Sequence, residues 1–143
     1  MQFQVELMIL TELHGNLFEH IGVRTPVHCI SQDCKMGAGI APLMKSTFNL
    51  WGLYSKVKEC PSCVYYNGVF NLITKKNYYD KPTYDTLERA LASMKNYILV
   101  FNIQKLIMPK IGCGLDRLQW PRVREMLENI FRDTNIDILV CYL

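Results

Sequence analysis

Residues 109–120, PKIGCGLDRLQW, constrain this chain more than any other stretch. Leu106, Ile107 and Met108 ahead of it read as the end of a buried strand. Behind it, Pro121 and the periodic apolar positions Val123, Met126, Leu127, Ile130 and Phe131 read as a helix with proline at its first position. Gly112 and Gly114 bracket Cys113 at this junction, and Asp116 follows. Glycines between a strand and a helix let the backbone come close to a ligand, and amides there can face an anion. Two glycines alone read first as a tight turn. The acid beside them, and a second glycine island upstream, shift the reading toward a site.

The remaining elements follow from local signals. Residues 3–9 alternate polar and apolar and predict a strand with one buried face. Gly15, Asn16, Leu17 and Phe18 end it with a turn, and residues 26–31 predict a short apolar strand. Gly37 and Gly39 then stand where the chain enters a helix, with Pro42 tolerated in its first turn and Leu43, Met44 and Phe48 as its apolar side. Residues 49–61 show no pattern beyond a helix end and a surface loop. Residues 62–66 and 69–74 flank Asn67-Gly68, the pair that suits the turn matching strand twist, so a hairpin is predicted with Lys75 at the end of its second strand. Thr83 caps a helix carrying Leu87, Ala90, Leu91, Met94, Tyr97 and Ile98 on one face. Strands follow at 104–108 and 136–142. Strands alternating with helices, plus one hairpin, predict an α/β sandwich with a mixed sheet.

Length and composition set the outer limits. A chain of 143 residues suits one domain, 1–143, able to bury about two-thirds of its unfolded surface. Half of it is hydrophobic and a fifth charged, as in compact soluble proteins. A net charge of +3 is too small to argue nucleic-acid binding, but it does not oppose an anionic ligand. No secretory leader is visible and the longest apolar run is far too short to span a bilayer, so an intracellular protein is predicted. Of six cysteines, Cys29, Cys113 and Cys141 lie in or beside strand-like runs, where a reduced thiol acts as a small hydrophobe. Cys60 and Cys63 have redox or half-zinc-site spacing, yet no second pair follows and no helix starts there. Reduced structural thiols are the reading.

Three islands carry a resemblance. They are residues 28–41 (HCISQDCKMGAGIA), residues 72–76 (LITKK) with Lys81-Pro82-Thr83-Tyr84 just after, and residues 109–120. At these islands the chain resembles the macrodomain family, and among its members the small terminal ADP-ribose protein glycohydrolases. Gly37-Ala38-Gly39-Ile40-Ala41 is common to many macrodomains. Ile73-Thr74-Lys75-Lys76 together with the 111–120 run is far more specific, and the likeness extends over residues 15–143.

The resemblance implies a three-layer α/β/α sandwich that holds ADP-ribose across the carboxyl ends of its strands, with the phosphates against the glycine loops. Lys75 and Asp116 correspond to the family's catalytic residues. The implied reaction is hydrolysis of the ester between ADP-ribose and a Glu or Asp side chain, with deacylation of O-acetyl-ADP-ribose at the same site. Lys75 would attack the anomeric carbon of the distal ribose to give a lysyl adduct, and Asp116 would move protons and help resolve it. Such a lysine must first shed its proton, which desolvation or a neighbouring charge such as Lys76 favours.

Leu17, Lys110, Ile111, Gly112, Cys113, Gly114, Leu115 and Leu143 match ligand-contacting positions; Gly37, Gly39 and Ile40 belong to the phosphate cradle, and Ser31 to the cleft wall. Asn16 stands where the family usually has an Asp that accepts from the adenine amine; its carbonyl can accept the same bond without charge assistance. No metal or cofactor is implied. The implied partners are ADP-ribose and ADP-ribosylated proteins, met as a monomer in cytoplasm or nucleus.

Other readings compete. Lys75 alone reads as a solvated lysine after a strand, Asp116 as a helix cap, Trp120 as core rather than a base-stacking platform, and Tyr78, Tyr79 and Tyr84 as ordinary packing. His28 reads as a strand residue with a satisfied ring, His14 and His20 as surface positions. A catalytically silent ADP-ribose reader needs the glycine loops but neither Lys75 nor Asp116. An RNA-binding module wants a basic, aromatic face that this composition supports weakly.

Overall fold

A computed structural model describes residues 7–143. Six strands form its sheet: β1 (Ile9–His14), β2 (Thr25–Ser31), β3 (Ser62–Tyr66), β4 (Val69–Lys75), β5 (Lys105–Met108) and β6 (Asp137–Tyr142). Three α-helices accompany them: α1 (Ala41–Phe48), α2 (Tyr84–Phe101) and α3 (Trp120–Phe131). The strand order is β1-β6-β5-β2-β4-β3. Every neighbouring pair is parallel except β3 with β4, which the hairpin makes antiparallel. The mixed sheet of the α/β sandwich is therefore present.

Local chemistry accounts for the elements that came out as read. Asn67 and Gly68 both take positive φ, 48° and 76°, as the hairpin turn requires. Thr83 accepts from Thr86 N while the Thr86 hydroxyl accepts from Thr83 N, a reciprocal cap that starts α2. α2 and α3 cover one face of the sheet, where Phe70 and Leu72 of β4 meet Leu87, Leu91 and Met94 of α2 and Val123, Leu127 and Phe131 of α3. On the opposite face Ile30, Val69 and Ile73 pack with Met44 of α1 and with Leu50 and Leu53. The result is three layers, α/β/α. Among the described residues no helix is long and apolar enough to cross a membrane.

Several expectations need correction. The strand placed at residues 3–9 falls partly outside the described residues; within them β1 runs from Ile9 to His14. Its register is set by pairing with β6, Ile9 opposite Asp137 through His14 opposite Tyr142, and this long-range partner overrides local alternation. α3 begins one residue earlier than expected, at Trp120, so Pro121 is its second residue. In α1 the inward face is Ala41, Met44 and Phe48, spaced three and four apart; Leu43 lies off that stripe and is 51% exposed. The unreadable segment 49–61 contains a 3-10 turn, Leu53–Lys56, pinned by the fully buried Leu50 and Leu53.

Polar residues also differ from expectation. His28 is wholly buried, and Nε2 lies 2.6 Å from Asn71 Oδ1, but Nδ1 has no partner. The ring is half satisfied. Asn71 Nδ2 donates to the carbonyls of Val64 and Val69, which turns its oxygen toward His28 and makes Nε2 the protonated nitrogen. Burial outweighs the Asn71 bond and lowers the His28 pKa to about 4. Trp120 is only partly core: one side packs inward while Nε1 donates to Glu12 at 3.0 Å. Tyr78 and Tyr79 are exposed, ring edge to ring face, rather than packed; Tyr84 does pack against the core. All six thiols are free. Burial pushes Cys63 up to about 12 and raises Cys60, the opposite of an activated redox pair.

Candidate active site

Because β1, β6, β5, β2 and β4 run parallel, their carboxyl ends share one edge of the sheet. Open α/β sheets bind ligands at this edge. The loops emerging there begin after His14, Ser31, Lys75, Met108 and Tyr142. Every residue proposed for the site lies on or next to one of them.

Lys75 is the last residue of β4, opposite Ser31 at the end of β2, just past an irregularity in the ladder at Ile30 and Ser31. Its Nζ donates to Asp116 Oδ1 at 2.7 Å, and the two side chains are 14% and 16% exposed. Forty-one positions separate them in the chain. A pair this desolvated interacts more strongly than a surface pair, and deleting one member strands the other. A 2.7 Å contact between an amine and a carboxylate is also a ready path for one proton.

The loop that carries Asp116 is closed on itself and then clamped. Leu118 N donates to Gly112 O at 2.8 Å and Arg117 N to Gly114 O at 3.1 Å. From the start of α2, the Lys81 ammonium donates to Leu115 O at 2.8 Å and the Tyr84 hydroxyl accepts from Gln119 N at 2.9 Å. Arg117 sits at φ +67°, an uncommon conformation for arginine, directly after Asp116. Asp116 does not cap α3, since the residue before that helix is Gln119.

The glycines separate into two kinds. Gly112 has φ +72°, and a Cβ there would stand 3.0 Å from Leu118 Cδ1, so the loop itself demands glycine. Gly39, at φ +63°, is likewise fixed by conformation. Gly37 and Gly114 have neither constraint: their φ is ordinary and a Cβ would meet nothing within 4 Å. Both face open space. Between the two loops, α1 starts at Ile40 with no side-chain cap, which leaves first-turn amides available to an anion.

Other candidates are placed less directly. Leu17 is buried with Ile107 and Cys141, and Ile111 belongs to the larger core, so their side chains serve packing. Ser31 is buried too, its hydroxyl donating to Asp33 Oδ1 at 2.5 Å. Asn16 Oδ1 accepts from Phe18 N at 3.0 Å and caps the short 3-10 turn Leu17–Glu19, leaving one lone pair open. Lys110 Nζ lies 4.1 Å from the centre of the Tyr142 ring and 3.9 Å from Glu12. Leu115 is 62% exposed and Leu143 93%. Burial raises the Cys113 thiol to about 11, against the pull of Lys110; burial, and next the Asp116 charge, raise Cys29 further. Neither thiol is poised as a nucleophile.

Lys81, Tyr84 and Asp33 stand in or beside the islands of resemblance, but the sequence assigns none of them a role at the site. Asp33 accepts from Ser31 and from the Lys35 and Tyr78 amides, tying the loop after β2 to the loop after β4. Their partners are 2 to 45 residues away and carry no periodic signature; only the nearness of Lys81 to the Lys75 island hinted at a role.

Comparison with known proteins follows the same lines. No family model matches the chain. It is 41% identical over 136 residues to the ADP-ribose glycohydrolase OARD1 of Homo sapiens, covering 92% of this chain and 90% of that protein, with the same figures for the Bos taurus protein. Among solved structures, the macrodomain of Mycobacterium tuberculosis DarG superposes with a TM-score of 0.83 over 94% of this chain and 98% of that one, at 20% identity. Thermosipho africanus DarTG in complex with ADP-ribose gives 0.73 at 17% identity, over 93% of this chain and 41% of that one. These likenesses concern the fold. The OARD1 matches, spanning nine-tenths of both chains, show the lineage: this chain belongs to the macrodomain family, among the relatives of the ADP-ribose glycohydrolase OARD1.

Proposed function

We propose that this protein is an ADP-ribosyl-protein glycohydrolase. It binds ADP-ribose at the carboxyl edge, cleaves the ester joining the distal ribose to a Glu or Asp side chain, and deacylates O-acetyl-ADP-ribose at the same site. The observation that carries the reading is the Lys75–Asp116 contact of 2.7 Å beside the glycine loops. A reader has no use for a desolvated amine and acid held at bonding distance.

The chemistry divides into two steps. The Lys75 proton passes to Asp116, and the freed amine attacks the anomeric carbon. The carbon–oxygen bond breaks, its electron pair leaves on the acceptor carboxylate, and Asp116 gives that group the proton. In the second step Asp116 takes a proton from water and passes it to the lysine nitrogen as the water oxygen displaces it. One ester and one water become free ADP-ribose and a free carboxylic acid. Both steps need the two side chains at proton-transfer distance.

The diphosphate is assigned to the loops of Gly37, Gly39 and Ile40 and of Gly112, Cys113 and Gly114, near the open start of α1. The adenine end is assigned to Asn16, Leu17 and Leu143. The reading asks for no metal, no cofactor and no second copy, and six free thiols suit a reducing intracellular compartment. The test is incubation with protein mono-ADP-ribosylated on glutamate, following free ADP-ribose. Release at a rate proportional to enzyme supports a hydrolase; tight binding of ADP-ribose with no release makes the protein a reader.

A further inference from the structure

The carboxyl edge continues past Lys75. Beside β4, where the segment leading into β3 comes alongside, Gln32, Asp33, Tyr54, Lys58, Lys76 and Asn77 surround an open cleft of about 540 Å³. That lies within the span of ligand pockets, about 300–1,000 Å³. Its wall is continuous with the catalytic strand. Lys76 and Asn77 directly follow Lys75, Gln32 N donates to Lys75 O at 2.8 Å, and Asp33 N to Lys76 O at 3.2 Å.

The cleft runs from the start of the loop after β2, at Gln32 and Asp33, to the segment leading into β3, while the glycines lie further along that loop and in the loop after β5. A substrate whose diphosphate occupies the glycine loops leaves the β3 end of this cleft free for its acceptor chain. The cleft lining also carries two cations against one anion. Lys58 and Lys76 are exposed, with Lys58 Nζ steadied by Ser55 O at 3.1 Å. Asp33 keeps its negative charge, but its oxygens are already engaged: Oδ1 accepts from Ser31 Oγ and Lys35 N, and Oδ2 from Tyr78 N. Burial would raise its pKa, but these bonds outweigh that and hold it below the usual carboxylate value. The exposed Tyr54 ring adds a flat apolar wall.

We infer that this cleft receives the acceptor polypeptide and favours segments with acidic residues beside the modified Glu or Asp. The inference rests on the hydrolase reading above. Two exposed lysines act through screened charge, so the selectivity they supply is about five- to ten-fold and fades with salt.

The test uses three peptides carrying one ADP-ribosylated glutamate, flanked by acidic, neutral or basic residues, together with O-acetyl-ADP-ribose, which has no chain to reach the cleft. The expected result is a KM about five-fold lower for acidic than for neutral flanks, with the difference lost in about 0.5 M salt. Lys58→Glu should reverse the order of acidic and basic flanks while turnover of O-acetyl-ADP-ribose stays unchanged. Equal KM for all three peptides in the unmodified protein overturns the inference. So does competition by a uridine oligonucleotide that depends on Lys58 while flank charge does nothing, because the cleft would then serve nucleic acid. No turnover of any substrate, O-acetyl-ADP-ribose included, defeats the hydrolase reading instead. Flank preference is then read from the binding affinities of the same peptides.

Discussion

Gly39 and Leu115 face each other across the cleft mouth: a Cβ added at Gly39 would stand 3.8 Å from Leu115 Cδ1. The two glycine loops, separated by some seventy residues of sequence, thus converge on one opening beside the Lys75–Asp116 pair. Four elements meet there. The ends of β2 and β5 start the loops, α1 presents its uncapped amides, and the start of α2 holds the Asp116 loop through Lys81 and Tyr84.

The two kinds of glycine separate folding from binding. Gly112→Ala places a Cβ against Leu118 at positive φ and should cost about 1–2 kcal/mol of stability, seen as a lower denaturant midpoint. Gly114→Ala meets neither obstacle, so its midpoint should hold while ADP-ribose affinity by calorimetry falls. Gly112→Glu should abolish binding, but its strain confounds the cause. Unchanged affinity in Gly114→Ala would remove the diphosphate from this loop.

Asn16→Asp tests the adenine end. Aspartate caps a helical turn as well as asparagine does, so the Leu17–Glu19 turn should survive and stability should not move. Its remaining lone pairs carry charge, so ADP-ribose binding should tighten by no more than ~1.5 kcal/mol. A clear loss of affinity with the fold intact would show that Asn16 does not face the adenine amine.

The buried His28 ties stability to pH. Its pKa is about 4 in the fold and 6.5 unfolded, so between those values the unfolded chain binds more protons. Stability from this group is therefore complete above pH 6.5 and is lost as pH falls through 6.5 toward 4. At pH 5 the loss is about 2 kcal/mol. His28→Gln keeps a donor for Asn71 Oδ1 without titrating. The gap in unfolding free energy between parent and variant should narrow by that amount from pH 7.5 to pH 5, and a constant gap would show that the ring does not charge on unfolding.

The elements read correctly are those whose cause lies within a few residues. Thr83 announces α2, with Thr86 completing the cap in the structure, and Asn67-Gly68 announces the hairpin that ends on Lys75. Causes spread across the sheet were not legible. Nothing near His28 shows that its bonding partner is Asn71 or that Nδ1 is left bare. Nothing near Leu17 shows that it is buried against Ile107 and Cys141. The meeting of Lys75 with Asp116 came from resemblance, since spacing alone leaves one a surface lysine and the other a loop acid. Asn16 shows the limit from the other side: resemblance implied a ligand contact, while its cap to Phe18 is a local bond that its residue type permits.

The paired groups separate hydrolase from reader. Removing either partner of a desolvated pair costs stability, so each variant must first be shown to fold and to bind ADP-ribose. Lys75→Ala removes the proposed nucleophile; release of ADP-ribose from the glutamate ester should stop and no adduct should form. Asp116→Ala leaves the amine but removes the group proposed to take its proton and later activate water. Turnover should fall by about 10²–10⁴-fold. Because the second step depends on proton transfer throughout, Asp116→Ala held with ADP-ribose or its protein ester should accumulate a covalent mass addition on Lys75. The double variant should show none. Peptide mass spectrometry after prolonged incubation checks this directly. If Asp116→Ala gives no adduct and Lys75→Ala releases ADP-ribose at the parent rate, the 2.7 Å pair is a structural ion pair and the chemistry lies elsewhere.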